Sequence, residues 1–142
     1  MSNTRATTQH MRRRRRSAAA RAERGSASIQ MVLLLPVLFT VMFLGMQAAL
    51  FYHARSVAIA AAQEGARASS VEESSSGVGA AAAASFVAAA GGDDVLKGAR
   101  VDSSRTAEVA TVTVTGTSLS VIPGWSPSVR QSAKAPVERI TR

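Results

Sequence analysis

The 142-residue chain contains no cysteine, so a disulfide framework is excluded and any exported part must hold itself by packing or by partners. Histidine is almost as scarce. His10 and His53 stand without a carboxylate cluster nearby, which leaves no ligand-spaced metal set and no acid–base pair. There is no Gly-x-Ser-x-Gly and no phosphate-binding loop, and Ser132 and Lys134 are too close for a Ser-x-x-Lys pattern. Aromatic residues are few: one Trp, one Tyr and four Phe. None lies among the N-terminal arginines, where an arm that binds nucleic acid would interleave rings to stack on bases. These absences leave no enzyme, no cofactor, no metal site and no nucleic-acid partner to be read.

What is present is one long apolar run. Met31 to Tyr52, MVLLLPVLFTVMFLGMQAALFY, carries no charge and is interrupted only by Pro36, Thr40, Gly45 and Gln47. As a helix it reaches about 33 Å at roughly 1.5 Å per residue, enough for a hydrocarbon core about 30 Å thick. A buried helix of a small soluble domain would show a polar face, and this segment has none. It reads as a transmembrane helix whose partner is the lipid bilayer. Pro36 is expected to kink it, as prolines in membrane helices do when the freed backbone groups find partners. Gly45 and Ala49 make a small-xxx-small pair that permits close helix approach. Tyr52 and His53 suit the outer interface, where aromatic rings with polar tips collect.

The formal charge of +8 is unevenly placed. Residues 1–24 hold eight arginines, five of them in the run Arg12 to Arg16, against the single acid Glu23, whereas the chain after Tyr52 is nearly balanced. Basic residues before an apolar span set the positive-inside orientation, so residues 1–25 are expected to be a cytoplasmic leader, disordered before it meets the membrane. A cleaved secretory signal fits less well. Its apolar core would be about 7–15 residues, and Gln47-Ala48-Ala49 is a poor end signal. Beyond the span, the Ala-rich stretch to Ser69 has no breaker except Gly65, and alanine is the strongest helix former. One helix over residues 26–70 therefore serves as span and stalk.

The junction Arg24-Gly25-Ser26-Ala27-Ser28-Ile29-Gln30 joins a charge, a glycine and small residues directly to the apolar run. Ser26 or Ser28 can cap a helix start; the alternative is a processing site. The order of Arg24-Gly25-Ser26, the early Pro36 and the later Glu64-Gly65-Ala66-Arg67 resembles the TadE-like family, minor pseudopilins of tight-adherence (Flp-type) pilus assembly systems. The resemblance covers about residues 24–70. It implies a prepilin-type cleavage between Gly25 and Ser26 by a prepilin peptidase. It also implies a plasma-membrane protein with one span and an extracytoplasmic C-terminal domain. Its partners would be other pilin-like subunits and the inner-membrane assembly machinery. Gln30 departs from the pattern. The family usually carries Glu at this fifth position after the cut, where the carboxylate is thought to pair with a neighbour's N-terminal amine.

Residues 71–142 are expected to form a small extracytoplasmic head. Val71 to Gly77 breaks the helix. Val78 to Ala90 reads as a second helix stopped by Gly91-Gly92, or else as an Ala-rich linker. Asp93-Asp94 reads as a turn beside the glycine pair. Ala107 to Thr115 alternates as a strand with Ala110, Val112 and Val114 on the inward face. Arg100 to Ser103 pairs before it through a turn at Ser104-Arg105, and Val129 to Val137 after it, with Pro136 at an edge. Trp125, next to a Pro-Gly turn, is expected to fold back over a thin core, its rival role being contact with a partner or the membrane surface. The fold class is α+β and pilin-like: a long N-terminal helix, a short second helix and an antiparallel sheet of two or three strands. Poor in large apolar residues, the head should be marginal alone.

Overall fold

The computed structural model describes the backbone of residues 4–138 and the side chains of residues 29–138. It is an α+β fold. Helix α1 spans Thr4–Ser70, α2 spans Ser76–Ala89, and a single 3-10 turn, Gly92–Asp94, leads into three strands, β1 (Leu96–Arg105), β2 (Val109–Ser118) and β3 (Ser128–Pro136). By its internal contacts the chain divides into residues 1–42 and 43–142.

Helix α1 starts at Thr4, well before the expected Ser26, so the basic leader has helical backbone where its composition predicts none. Arginine and alanine, both strong helix formers, supply most of residues 12–24, and Gly25 is the weakest helix former of the segment. Residues 1–3 lie outside the description. Pro36 sits inside α1 without ending it, and the Thr40 hydroxyl donates to the Pro36 carbonyl at 2.7 Å.

In the second unit the strands run antiparallel in the order β1-β2-β3. The inward face of β2 matches the alternation: Ala110, Val112 and Val114 are fully buried, and Thr111, Thr113 and Thr115 between them are not. Thr113 Oγ1 donates to Ser132 Oγ, its partner in the β2–β3 register, across this wetter face at 3.1 Å. Strand β1 begins earlier than expected, and Leu96 becomes the largest fully buried side chain of the head. The β1–β2 turn falls at Thr106–Glu108, just past the expected Ser104-Arg105, because Arg105 still pairs with Ala110. Thr106 makes that turn: its hydroxyl oxygen accepts from the amides of Glu108 and Val109 at 3.3 and 3.0 Å.

Asp93 takes the expected turn role, with its carboxylate accepting from the Gly98 amide at 3.0 Å. Gly98 has φ +60 and lies where the β1–β2 register shifts between Lys97 and Arg100, a bulge that glycine tolerates. Strand β3 is an edge and ends at Pro136, which therefore removes no ladder bond from a sheet interior. Helix α2 begins with Ser75 as its cap, the side chain accepting from the Val78 amide.

Strand β2 runs back along the stalk. Its first end lies near the terminus of α1, where Arg105 donates to the carbonyls of Ser69 and Val71 at 2.8 and 3.1 Å. The Glu138 amide donates to Ser70 O at 2.9 Å, and Ser74 Oγ donates to Ala68 O at 2.7 Å. The carbonyls that every helix leaves unpaired at its end are thus met by a cation and two further donors. Its last end leads to the loop 119–127, which returns to α1 at Gln47.

Candidate functional site

From Ile29 to Met46 every side chain is exposed, with Leu33 at 67% and Leu38 at 64%. A soluble protein does not leave so many large apolar side chains in water. Among the described residues this is the one helix long and apolar enough to cross a membrane. Gln30, at the head of this run, is exposed as well.

At Gln47 the helix changes character. Gln47 is 2% exposed. Its Nε2 donates to Leu119 O at 3.3 Å, while its Oε1 accepts from Ser120 Oγ at 2.9 Å and from the Val121 amide at 3.0 Å. A side-chain amide has two donors and an acceptor oxygen, so it can satisfy both a carbonyl and an amide of an irregular loop. The last residues of the expected span, from Gln47 through the partly buried Phe51, are thus already part of the head. In the sequence Gln47 looks like a mere interruption of an apolar run. A lone amide among hydrophobic residues was the signal available.

Beyond Gln47 the buried positions of α1 are Ala54, Val57, Ala58, Ala61, Ala62, Gly65, Ala66, Ser69 and Ser70. Their alternating steps of three and one residues trace a single helical stripe. The stripe packs on Ala83 and Val87 of α2 and on Leu96, Val112 and Val114 of the sheet. Contact is close at Gly65 and Gly79. A Cβ on Gly65 would lie 2.6 Å from Gly79 O, 2.9 Å from Ala83 Cβ and 3.0 Å from Val112 Cγ1. A Cβ on Gly79 would meet Gly65 O at 2.6 Å and overlap the Ser69 hydroxyl. Two glycines therefore let the backbones of α1 and α2 touch. The motif Glu64-Gly65-Ala66-Arg67 divides accordingly. Gly65 and Ala66 face the head, while Arg67 and Glu64 form an exposed ion pair at 3.1 Å. Such a pair stabilises a helix by only about 0.2–0.5 kcal/mol.

Trp125 does not cover the core. It is 50% exposed and lines a shallow apolar depression with Leu44, Gln47, Ala48, Phe51, Tyr52 and Pro127, about 270 Å³ in volume. The expectation fails because β2, α2 and α1 close the core with Ala, Val and Leu96, leaving no space for an indole. Tyr52 beside it is 61% exposed and stacks edge-on against Phe51 at 5.8 Å.

Among the described residues no group of His, Asp and Glu is placed to hold a metal ion. Gly25 and Ser26 lie within the backbone of α1, and their side chains are outside the description. A family model described as TadE-like protein matches residues 25–67. No curated protein and no solved structure matches the chain. The family match begins at the expected processing glycine, takes in the exposed apolar run and ends on Arg67, so it stops short of α2 and the sheet.

Proposed function

We propose that this protein is a non-catalytic, membrane-anchored pilus-assembly component of the TadE-like kind, a minor pseudopilin or assembly accessory. The observation that carries the reading is that the family match over residues 25–67 joins the exposed apolar helix to the stripe that holds the head. The arginine-rich leader would stay in the cytoplasm and the head outside, as the positive-inside bias favours. The anchor would occupy the exposed residues 29–46, shorter than the apolar run read from sequence, because Gln47 is committed to the loop 119–127. Other pilin-like subunits and the inner-membrane assembly machinery would be its partners.

Gln30 bears on copy number. A Glu at this position would gain a charge-assisted bond to a neighbour's amine, roughly twice as strong as a neutral one. Gln30 forms only the neutral bond and strands no charge in lipid before assembly. A subunit that acts singly, at a tip or within the membrane, loses little by the exchange. The reading is tested in the native host by deleting the gene and restoring the chain with tags at each end. Surface filaments should disappear and return, and sheared filaments should hold far less of this protein than of their main subunit. External protease on spheroplasts should remove the C-terminal tag alone. If Gly25-Ser26 is processed, the mature chain should begin at Ser26 and Gly25→Leu should keep the full-length form. Normal filaments in the deletion strain would point to an anchored exoprotein unrelated to pili.

A further inference from the structure

The depression beside Trp125 lies where α1 passes from exposed apolar residues to the buried stripe. Three observations converge there. First, the loop 119–127 is fixed to the helix. Gln47 bonds three of its groups, Ser120 Oγ also donates to Ile122 O at 2.9 Å, and the Ser118 amide donates to Pro127 O at 3.0 Å. Gly124, at φ +77, makes the turn that presents the indole. Second, the patch is uncharged. The sequence has no ionisable acid or base from Val109 to Val129, and none on α1 from Ser26 until His53 and Arg55. Third, it follows in the chain directly from Leu44 and Met46, the last large side chains of the exposed run.

We propose that this patch is a seat for the lipid surface: Trp125 and Tyr52 enter the boundary between headgroups and acyl chains of the leaflet that α1 leaves, and so fix the head against the membrane. Amphipathic rings with one polar atom are suited to that boundary, where the ring is dry and the N–H or O–H remains wet. The absence of charge means that entering it desolvates no ion. The first arginines beyond the patch in sequence, Arg55 on α1 and Arg130 on β3, are exposed and free of the apolar lining. A protein partner in the depression is less favoured, because the half-exposed rings continue an apolar surface that already calls for lipid. Gln47 is the positioning residue: it holds the loop at the level where the helix becomes part of the head.

The seat rests on the anchoring proposed above, and one experiment separates the two. Trp125 is the only tryptophan, so its emission reports the loop in the full-length protein without labelling. The protein is placed in phosphatidylcholine–phosphatidylglycerol vesicles carrying a spin label either near the headgroup or near the acyl-chain end. Trp125 emission should shift to the blue, be quenched more by the shallow label than by the deep one, and lose accessibility to iodide. In Trp125→Phe, a tryptophan introduced as Tyr52→Trp should show the same shallow profile, and one introduced as Phe39→Trp should respond to the deep label. Gln47→Ala should return Trp125 to iodide while circular dichroism retains the helix and strand signal of the parent, which keeps a general loss of folding apart from release of the loop. Deep quenching at position 39 with no lipid quenching of Trp125 overturns the seat and leaves the anchor. No lipid quenching at position 39 overturns the anchor, and the seat with it. A blue-shifted Trp125 that ignores both labels and follows the protein-to-lipid ratio shows a second copy in the depression, which also overturns the seat.

Discussion

The two parts of α1 on either side of Gln47 invert the usual relation between hydrophobicity and burial. Before it, Leu33, Leu38 and Phe39 are all more than half exposed, while after it Ala54, Ala58, Ala61 and Ala62 are fully buried. Both parts are helical, and the second carries Arg55, Glu64 and Arg67 outside its buried positions, so charge does not separate the exposed run from the buried stripe. Side-chain size does. Alanine and glycine let a backbone approach a sheet and a second helix, whereas Leu, Phe and Met hold neighbours away and suit a fluid apolar medium. The comparison teaches that one apolar helix serves two solvents, lipid by its large residues and its own head by its small ones.

The comparison is most sharply broken with leucine. Leu96→Ala removes the largest buried side chain of a core otherwise made of Ala and Val. It should destabilise the head by about 2–5 kcal/mol, as leucine truncations in packed cores do. Leu38→Ala deletes the same atoms from an exposed site, so head stability should stay within about 0.5 kcal/mol of the parent. Denaturation followed by Trp125 emission in detergent measures both. Equal losses would mean that the exposed run also packs on protein.

Glycine gives a smaller contrast of opposite sign. Gly65→Ala drives a methyl into a backbone carbonyl 2.6 Å away and into Ala83. Alanine gains up to about 1 kcal/mol in helix propensity, but neither obstacle is the end of a flexible chain. A net loss of about 1–3 kcal/mol is expected. Gly45 has nothing within 4 Å of its would-be Cβ, so Gly45→Ala should leave the head unchanged or slightly improve helix formation by circular dichroism. If Gly45→Ala instead impairs association with other subunits in the membrane, the Gly45–Ala49 pair is a contact face.

These positions also show what could be read from the residues alone. The sheet was legible because Thr and Val alternate along β2 and because Pro136 belongs at an edge. The two helices were legible because Val71 to Gly77 holds charges, serines and a glycine between two Ala-rich runs. The packing was not legible. Gly65 looks like a tolerated weakness in a helix until Gly79 is seen opposite it, and no local pattern announces that pairing. Leu96 escaped because its strand begins beside a bulge at Gly98 that breaks the alternation. Trp125 was misplaced for want of a size argument: a core closed by alanines has no room for an indole.

The smallest effect is expected at the motif's charged pair. Arg67→Ala removes an ion pair whose side chains are 75% and 46% exposed, and should cost the head no more than about 0.5 kcal/mol. Should Arg67→Ala abolish filament formation while thermal denaturation shows an unchanged head, the outward half of Glu64-Gly65-Ala66-Arg67 recognises a partner and the inward half alone is structural.

The bonds at Gln47 have one more consequence, and it concerns time. They join residues 72 to 74 positions apart. The stalk helix can form from local contacts as soon as it is made, but its buried stripe has only Ala83 and Val87 of α2 to pack against until the β-strands follow. Contacts of such long separation form late, because a large loop must close before they reward the chain. The polar groups of Gln47 thus stay uncovered until Leu119 to Val121 have been made, and the alanine stripe is covered in steps, by α2 and then by β1 and β2. A ribosome that stops short of Val121 leaves a helix already fit for the membrane and a head that has no way to shut.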